Sequence, residues 1–191
     1  FIAGGNGSGK TTLAKLLTGL YVPNAGEVCW NGRDVTDKVR ADYRQLFSTV
    51  FVEGHLFDRL LGVDVTPGEL ERWISLLGME EKVDVQTGRL LTQELSRGQH
   101  KRLALLVAAL DDRPIFVFDE WAAEQDPGFK DVFYQQILPE LRRIGKTVVA
   151  ITHDDRYFSV ATRVLRVVDG RLTHATEKAA DSLHVIHRNA A

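Results

Sequence analysis

The residues that could do chemistry begin at Gly4, where the sequence GGNGSGKT has the spacing of a phosphate-binding loop. Glycines let a backbone fold tightly around phosphate oxygens with its N–H groups pointing inward, and Lys10 adds a point charge. A glycine-rich turn could match this pattern by chance, but a strand pattern precedes it and a helix pattern follows it, as a phosphate loop requires. We therefore predict nucleotide binding at Gly5, Asn6, Gly7, Ser8, Gly9, Lys10, Thr11 and Thr12.

A pair of carboxylates follows the apolar run Ile115–Phe118. Asp119 stands at the expected end of a strand, where it can hold Mg²⁺ through water, and Glu120 can orient or deprotonate an attacking water. An isolated pair of this kind would more simply be a solvated acidic turn. Because a phosphate loop occurs in the same chain, the pair instead indicates a site for phosphate transfer.

Two further segments stand at the ends of predicted elements. Leu95–Gln99, with the sequence LSRGQ, precedes a helix pattern, so backbone N–H groups and the Ser96 hydroxyl would gather at a helix N-terminus, which favours an anion. A capping turn alone would look the same. His153 follows the apolar run Thr147–Thr152. A lone histidine there is more often structural, so its interpretation depends on the order of all the motifs.

In that order, the phosphate loop, the LSxGQ segment, the acidic strand end and the histidine resemble the ATP-binding cassette (ABC) ATPases over essentially the whole chain. The resemblance implies ATP and Mg²⁺ as cofactors, with Mg²⁺ held near Thr11 and Asp119. It implies that Glu120 is the catalytic carboxylate and that His153 is the switch histidine that senses γ-phosphate. It also implies a head-to-tail dimer, in which the LSxGQ segment of one subunit closes over the ATP of the other. The remaining implied site residues are Ser96, Gly98 and Gln99, acting in trans, and Asp126 of the D-loop.

Two positions depart from the ABC pattern. Val52 stands where most cassettes have the glutamine of the Q-loop, and valine can neither ligate Mg²⁺ nor position water. Either water fills that position or Glu53 approaches it, so the usual coupling contact has no glutamine to make it. Arg97 replaces a glycine of the signature, and we expect its guanidinium to stay in solvent, as long cationic side chains ordinarily do.

The residues around the motifs resemble those of a narrower group, the bacterial cyclic-peptide and siderophore exporters of the pyoverdine, syringomycin and microcin type. The segments that carry this resemblance are Tyr43–Ser48, His55–Asp58, Asp119–Pro127 and His153–Phe158. Trp121 stands after the glutamate where most cassettes have proline, as it does in that group. The group fuses its ATPase behind a six-helix membrane domain. The resemblance thus implies a transmembrane domain upstream of Phe1, an adenine-stacking residue also upstream, and a location at the cytoplasmic face of the inner membrane.

Composition narrows the class of protein independently. The chain has 191 residues, of which 44% are hydrophobic and 26% charged, as expected for a folded globular domain. Its formal net charge of -2 gives no field for binding nucleic acid, so we expect no nucleic-acid partner. The single cysteine, Cys29, indicates a reducing compartment. The longest purely apolar stretch, Leu103–Leu110, is far shorter than the roughly 20 residues that cross a bilayer.

The elements that must position these residues alternate between strands and helices. Strand patterns cover Phe1–Ala3, Glu27–Trp30, Leu46–Val52, Ile115–Phe118, Thr147–Thr152 and Val164–Val168. Helix-period patterns cover Leu13–Leu20, Leu70–Leu77, Leu103–Leu110 and Phe129–Ile137. The alternation predicts an α/β fold with a mostly parallel sheet, and the resemblance implies a P-loop NTPase with a RecA-like core.

Within this single cassette, residues 1–191, we expect two smaller parts and a tail. The Asn31-Gly32 turn predicts a short antiparallel hairpin, which would form a partial β subdomain beside the main sheet. Residues from about 55 to 110 are mainly helical and predict an inserted signature subdomain. Pro139 should kink or divide the fourth helix pattern. Residues 174–191 lack periodicity and are expected to be peripheral.

An ABC exporter domain has two competitors. A soluble ABC ATPase in DNA repair would carry a long coiled coil before the signature, yet residues 12–94 have no sustained heptads, and a ribosomal member would normally carry two cassettes. A P-loop kinase or GTPase has no use for LSxGQ. The exporter domain is therefore the leading hypothesis. The cassette cannot identify the cargo, because cargo contacts the membrane domain.

Overall fold

The computed structural model describes residues 1–50, 66–84, 91 and 94–177 of the chain. The strands are β1 (Ile2–Ala3), β2 (Cys29–Trp30), β3 (Arg33–Asp34), β4 (Phe47–Val50), β5 (Ile115–Asp119), β6 (Thr147–Ile151), β7 (Arg163–Val168) and β8 (Arg171–Glu177). The α-helices are α1 (Lys10–Leu17), α2 (Arg40–Arg44), α3 (Pro67–Leu76), α4 (Arg97–Leu110), α5 (Pro127–Val132) and α6 (Leu138–Arg143). Two 3₁₀ helices cover Trp121–Glu124 and Asp155–Val160, and a π-helical segment, called the π turn below, covers Phe133–Ile137.

The main sheet has six strands in the order β4-β5-β6-β1-β7-β8. The first five are parallel to their neighbours, and β8 pairs antiparallel with β7 at the edge. Neighbouring parallel strands end at the same edge of a sheet, so β5, β6 and β1 place the loops that follow them side by side. The predicted strands are confirmed, with ends that shift by one or two residues where both ends are described.

Both faces of β5 are buried, which explains why its sequence is a continuous apolar run. Phe116 and Phe118 lie in a large core that includes buried residues of α3, α4, α5 and the π turn. Val117, between them, belongs to a second core on the other side of the sheet, together with Ala14 of α1 and Tyr43 of α2. The strand that carries Asp119 is therefore fixed from both sides.

The Asn31-Gly32 turn forms the predicted hairpin. Strands β2 and β3 pair antiparallel as a separate two-stranded sheet. Asn31 and Gly32 both have positive φ, 51° and 74°, the conformation that a tight two-residue hairpin turn requires. Helix α2, which no sequence pattern predicted, follows this hairpin.

Two helix predictions need correction at their ends. Helix α1 stops at Leu17, and Leu20, which continued the helical period, is exposed. Gly19, with φ of 70° and Tyr43 packed beside it, turns the chain away before that period is complete. The helix predicted over Phe129–Ile137 is interrupted, as expected, but the interruption is the π turn and not a kink at Pro139. Pro139 lies within the first turn of α6, which begins at Leu138.

The expected peripheral tail is wrong at its start. Residues 174–177 belong to β8, and Glu177 pairs with Arg163 of β7. The turn that makes this hairpin is Asp169-Gly170, whose φ angles of 48° and 72° fit a tight turn. That dipeptide was the signal that sequence reasoning passed over. Residues 178–191 and Val52 lie outside the described residues. The helical subdomain over residues 55–110 stays a prediction, although two helices, α3 and α4, lie within this range.

No helix in the described residues is long and apolar enough to cross a membrane.

The junction between β1 and the phosphate loop leaves no room for a side chain, which can be tested by two matched glycine substitutions. A Cβ on Gly4 would lie 2.3 Å from the carbonyl oxygen of Val167 in β7, whereas a Cβ on Gly5 meets nothing within 4 Å. We expect Gly4→Ala to reduce the free energy of unfolding by about 1–3 kcal/mol, because β1 must shift away from β7. Gly5→Ala should change it by less than about 0.5 kcal/mol.

Urea unfolding of both variants without nucleotide checks this prediction. Equal stability of the two variants would show that β1 moves aside freely and would contradict the proposed tight junction.

Candidate nucleotide site

The site forms where β1, β5 and β6 end. The backbone N–H of Glu120 donates to the carbonyl of Ile151 at 3.1 Å, and the N–H of Thr152 donates to the carbonyl of Ile2 at 3.1 Å. These two bonds continue the sheet pairing one step beyond the strands. The loops that carry the phosphate-binding sequence, the acidic pair and His153 are consequently tied to each other by backbone hydrogen bonds.

The predicted phosphate loop wraps around its own lysine. Lys10, at the start of α1, is buried, and its Nζ donates to the carbonyl of Gly5 at 2.8 Å. Gly7 and Gly9 have φ of 73° and 99°, which allows the tight path between Gly5 and the helix. The result is a buried cation beside the positive end of a helix, an arrangement that attracts phosphate oxygens. Ser8 lies on this loop with a buried Oγ that has no hydrogen-bond partner among the described residues.

Asp119 is the most buried charged group of the site, at 3% exposure. Burial raises the pKa of its carboxyl, while a hydrogen bond with the Thr11 side chain acts in the opposite direction. Its Oδ1 has no hydrogen-bond partner among the described residues. A buried carboxylate oxygen without a donor, beside a threonine hydroxyl, is a donor set that suits a hard divalent cation. The residues present therefore fit Mg²⁺.

Glu120 stands between the lysine and the histidine. Its Oε1 lies 3.9 Å from Lys10 Nζ and 2.8 Å from His153 Nε2. Glu120 adopts φ of 49°, a left-handed conformation that costs energy for any residue other than glycine and that persists only where the surroundings enforce it. The side chains of Glu120 and His153 remain about one third to two fifths exposed, so water can reach them.

A cavity of about 320 Å³ opens beside this pair. Glu120 and His153 form part of its wall, and the other polar residues that line it are Lys130, Tyr134, Thr152 and Asp154. The sequence analysis assigned no role to any of these four residues, although Thr152 and Asp154 flank His153 in the chain. The structure places them next to the carboxylate that was predicted to activate water.

The LSxGQ segment forms the N-terminus of α4, where two side chains cap the helix. Ser96 Oγ accepts from the Gln99 N–H at 3.2 Å, and Gln99 Oε1 accepts from the Ser96 N–H at 2.9 Å. This reciprocal pair is a capping box, which satisfies two N–H groups at the helix start. Gly98 lies inside the first turn, and Arg97 is exposed, as expected for its cationic side chain.

An arginine that sequence reasoning missed ties this helix to the D-loop. Arg102 donates from Nε to Gln125 Oε1 at 3.0 Å and from Nη2 to Asp126 Oδ2 at 2.9 Å. Gln125 in turn donates to the carbonyl of Gly98 at 3.0 Å. Gly98 and Arg102 are four residues apart and share one helix face, which was the available signal. A Cβ on Gly98 would come within 3.2 Å of Gln125 Oε1, so the contact needs glycine or a small shift.

Asp126 also caps α5. Its Oδ1 accepts from the Phe129 N–H at 2.9 Å. That backbone hydrogen bond is the main reason why the pKa of Asp126 is lowered, and Arg102 contributes further. The described contacts thus gather the predicted site residues into two groups. One contains the phosphate loop, Asp119, Glu120 and His153; the other contains Ser96–Gln99 and the D-loop.

A parallel sheet with a phosphate loop after β1 and carboxylates after β5 defines a P-loop nucleotide-binding domain, so the predicted α/β class is confirmed. The sequence pattern of the family described as "ABC transporter" matches residues 1–123. The chain belongs to this family, and it is an ATPase cassette of it.

Curated relatives extend the match beyond residue 123. The chain is 51% identical over 175 residues to "ATP-binding protein SyrD" of Pseudomonas syringae pv. syringae, covering 89% of this chain and 31% of that protein. It is 36% identical over 186 residues to the energy-coupling factor transporter ATP-binding protein EcfA1 of Halalkalibacterium halodurans, covering 90% of this chain and 65% of that protein. The chain therefore spans about a third of the length of the first relative and about two thirds of the second.

Solved structures agree on the fold. A bacterial Atm1-family ABC exporter with ATP bound gives a TM-score of 0.76 at 22% identity, covering 92% of this chain and 33% of that one. The bacterial ABC transporter cassette MJ0796, described as a dimer, gives 0.74 at 25% identity, covering 92% of this chain and 83% of that one.

The two contacts of Asp126 can be separated by substitution. Asp126→Ala removes the cap of α5 and the ion pair with Arg102, and we expect it to lower the free energy of unfolding by about 1 kcal/mol. Asp126→Asn keeps a capping oxygen and loses only the charge, so it should cost less. Urea unfolding at pH 7 checks the order of the two variants. Equal losses would contradict the capping role of this side chain.

The pH dependence has a definite sign. The pKa of Asp126 is lowered in the folded domain, so its charge stabilises the fold above the pKa of an unfolded aspartate, about 3.9. That contribution is lost as the pH falls through the lower folded value. The difference in the free energy of unfolding between the parent and Asp126→Asn should therefore be constant between about pH 5 and pH 7 and should shrink below about pH 4.

Proposed function

We propose that this chain is the ATP-binding and ATP-hydrolysing domain of an exporter that moves a peptide-like or siderophore-like molecule across a bacterial inner membrane. The observation that carries the catalytic part is the position of Glu120, 2.8 Å from His153 and 3.9 Å from the buried Lys10 of the phosphate loop. The 51% identity to SyrD and the residues around Trp121 support the proposal that the domain belongs to an exporter.

Hydrolysis transfers the terminal phosphoryl group of ATP to water. The bond from the γ-phosphorus to the bridging oxygen breaks while a bond to the water oxygen forms. Glu120 is the group that would orient this water and accept its proton, and His153 holds the carboxylate in place through the 2.8 Å contact. Lys10 would balance charge on the β- and γ-phosphates. Thr11 and Asp119 would hold Mg²⁺, which neutralises charge that develops on the phosphate oxygens.

Two partners belong to this proposal. A second copy of the cassette would pair head to tail with this one, so that Ser96, Gly98 and Gln99 act on the ATP held by the partner. The capping box supports this role because it presents the start of α4 in a fixed geometry. A transmembrane domain upstream of Phe1, in the same polypeptide, would place the cassette at the cytoplasmic face of the membrane. The chain spans 31% of SyrD, which leaves ample length for such a domain in a protein of that kind.

Two substitutions separate ATP binding from ATP hydrolysis in the full-length protein. Glu120→Gln keeps the size of the side chain but cannot take a proton, so we expect ATP binding within about twofold of the parent and hydrolysis at least 100-fold slower. Lys10→Ala removes the buried cation of the phosphate loop and should weaken ATP binding itself. Nucleotide binding, phosphate release and ATP-dependent uptake of a cyclic peptide into inside-out vesicles provide the three measurements.

Hydrolysis at the parental rate by Glu120→Gln would remove this carboxylate from the reaction. Hydrolysis that stops in both variants while peptide uptake continues would instead overturn the exporter assignment.

Mixed dimers test the sharing of sites between subunits. A Ser96→Ala subunit paired with a Lys10→Ala subunit places both lesions in one composite site and leaves the other intact. We expect such heterodimers to keep about half of the parental ATPase rate, whereas each homodimer is inactive, because each lesion alone disables both composite sites. Differently tagged subunits purified in two steps provide the heterodimer. A heterodimer as inactive as the homodimers would contradict independent shared sites.

A further inference from the structure

A buried tyrosine outside every sequence motif contacts the loop of His153. Tyr134 is 2% exposed, and its hydroxyl lies 2.6 Å from Thr152 Oγ1. Thr152 is also buried, and the same Oγ1 accepts from the backbone N–H of Asp154 at 3.0 Å. The Tyr134 hydroxyl thus meets the one side-chain atom that bridges the residues on either side of His153.

The His153 loop is held before and after the histidine. Before it, the Thr152 N–H donates to the Ile2 carbonyl at the end of β1. After it, the Thr152 hydroxyl holds the Asp154 N–H, and Arg156 grips the Asp154 carboxylate with two hydrogen bonds of 2.8 and 2.7 Å. Thr152 Oγ1 has two partners, the Tyr134 hydroxyl and the Asp154 N–H, and both contacts are made only when the Thr152 side chain keeps this rotamer.

Aromatic contacts surround the Tyr134 ring on several sides. It stacks on the Tyr157 ring, with the two centroids 4.1 Å apart and the two planes at 14°. The centroids of the Phe133 and Phe1 rings lie 5.0 and 5.9 Å from its own centroid. These contacts restrict the positions that the terminal hydroxyl can take, and a buried tyrosine hydroxyl usually has a hydrogen-bond partner. Burial raises the pKa of the Tyr134 hydroxyl, so this hydroxyl keeps its proton at neutral pH and can either donate to Thr152 Oγ1 or accept from it.

Two adjacent bulky residues of the π turn are both buried. Phe133 and Tyr134 follow each other within Phe133–Ile137; Phe133 stacks on Trp121 at 4.4 Å, while Tyr134 faces Tyr157 and the site. π-Helical insertions occur mostly as single turns and often at functional sites, where they redirect side chains. This one places an aromatic hydroxyl in the wall of the cavity that also contains Glu120.

We propose that Tyr134 is a positioning residue for hydrolysis: its hydroxyl orients Thr152, which fixes the backbone around His153 and thereby holds the Glu120 carboxylate. The inference rests on the proposed catalytic role of Glu120. The π turn would thus support the reacting groups indirectly, through Thr152, without contacting ATP.

The chain contains a matched control for this proposal. Tyr157 belongs to the same stacked pair and is also buried, but its hydroxyl donates to Asp131 Oδ1 at 2.6 Å, not to the His153 loop. Tyr134→Phe and Tyr157→Phe each keep a buried ring and remove one hydroxyl. A loss that comes only from packing or from an unsatisfied partner should affect both variants.

The experiment measures ATP hydrolysis by the full-length protein in membranes, with melting temperature as a second measurement. We expect Tyr134→Phe to lower kcat about tenfold with KM for ATP within about twofold, because the carboxylate is misplaced while the phosphate loop is untouched. Tyr157→Phe should leave kcat within about twofold of the parent. Thr152→Val should resemble Tyr134→Phe, Thr152→Ser should retain most of the rate, and the double variant Tyr134→Phe/Thr152→Val should be no slower than Thr152→Val alone.

A kcat for Tyr134→Phe within twofold of the parent, or an equal fall in Tyr157→Phe, would overturn the inference. Additive losses in the double variant would also overturn it, since two residues that act through one hydrogen bond cannot add. Glu120→Gln, measured alongside, keeps the two proposals distinguishable: if it is inactive while Tyr134→Phe is normal, the inference fails and the proposed function stands.

Discussion

The site depends on one constraint, the common edge at which β5, β6 and β1 end. Two backbone hydrogen bonds beyond the strands, from Glu120 to Ile151 and from Thr152 to Ile2, lock three loops together. Through them the positions of the acidic pair and of the histidine follow from the pairing of the sheet. Side-chain contacts such as the 2.8 Å bond between Glu120 and His153 then need no long flexible segment to form. Rigid elements hold such groups more accurately than free loops can.

Charge burial explains why this edge should hold a nucleotide. Lys10 and Asp119 are both buried, at 5% and 3% exposure, and burying a charge costs free energy unless partners compensate. Lys10 has the carbonyl of Gly5 and, at 3.9 Å, the carboxylate of Glu120. Asp119 Oδ1 and Ser8 Oγ have no partner among the described residues. Unsatisfied buried groups call for an explanation: a phosphate oxygen could accept from the Ser8 hydroxyl, and a cation or its bound water could pair with Asp119 Oδ1.

Sequence patterns predicted what depends on neighbours along the chain. The spacing from Gly4 to Thr11 and the apolar run before Asp119 predicted a tight loop and a strand that ends in carboxylates, because both depend on local backbone geometry. Contacts between distant segments left no such trace: Tyr134 and Thr152 are 18 residues apart, and Arg102 and Gln125 are 23 apart. The π turn was equally hidden, since its residues keep an ordinary helical period. The hairpin at Asp169-Gly170, by contrast, did carry a local sequence signal, since this dipeptide favours a tight two-residue turn.

The capping box at the start of α4 bears on how one segment could serve two subunits. Ser96 Oγ already accepts a hydrogen bond from the Gln99 N–H. A hydroxyl also has a proton to donate, so Ser96 can cap its own helix and donate to a phosphate oxygen at the same time. The Gln99 side chain uses its oxygen in the cap, which leaves the amide nitrogen outside that bond. Capping therefore fixes the directions in which these groups point before a partner arrives, and the link from Gly98 through Gln125 to Arg102 holds that helix start against the D-loop. In the proposed dimer, the entropic cost of ordering the Ser96–Gln99 segment would therefore fall on folding and would not weaken the binding of ATP across the interface.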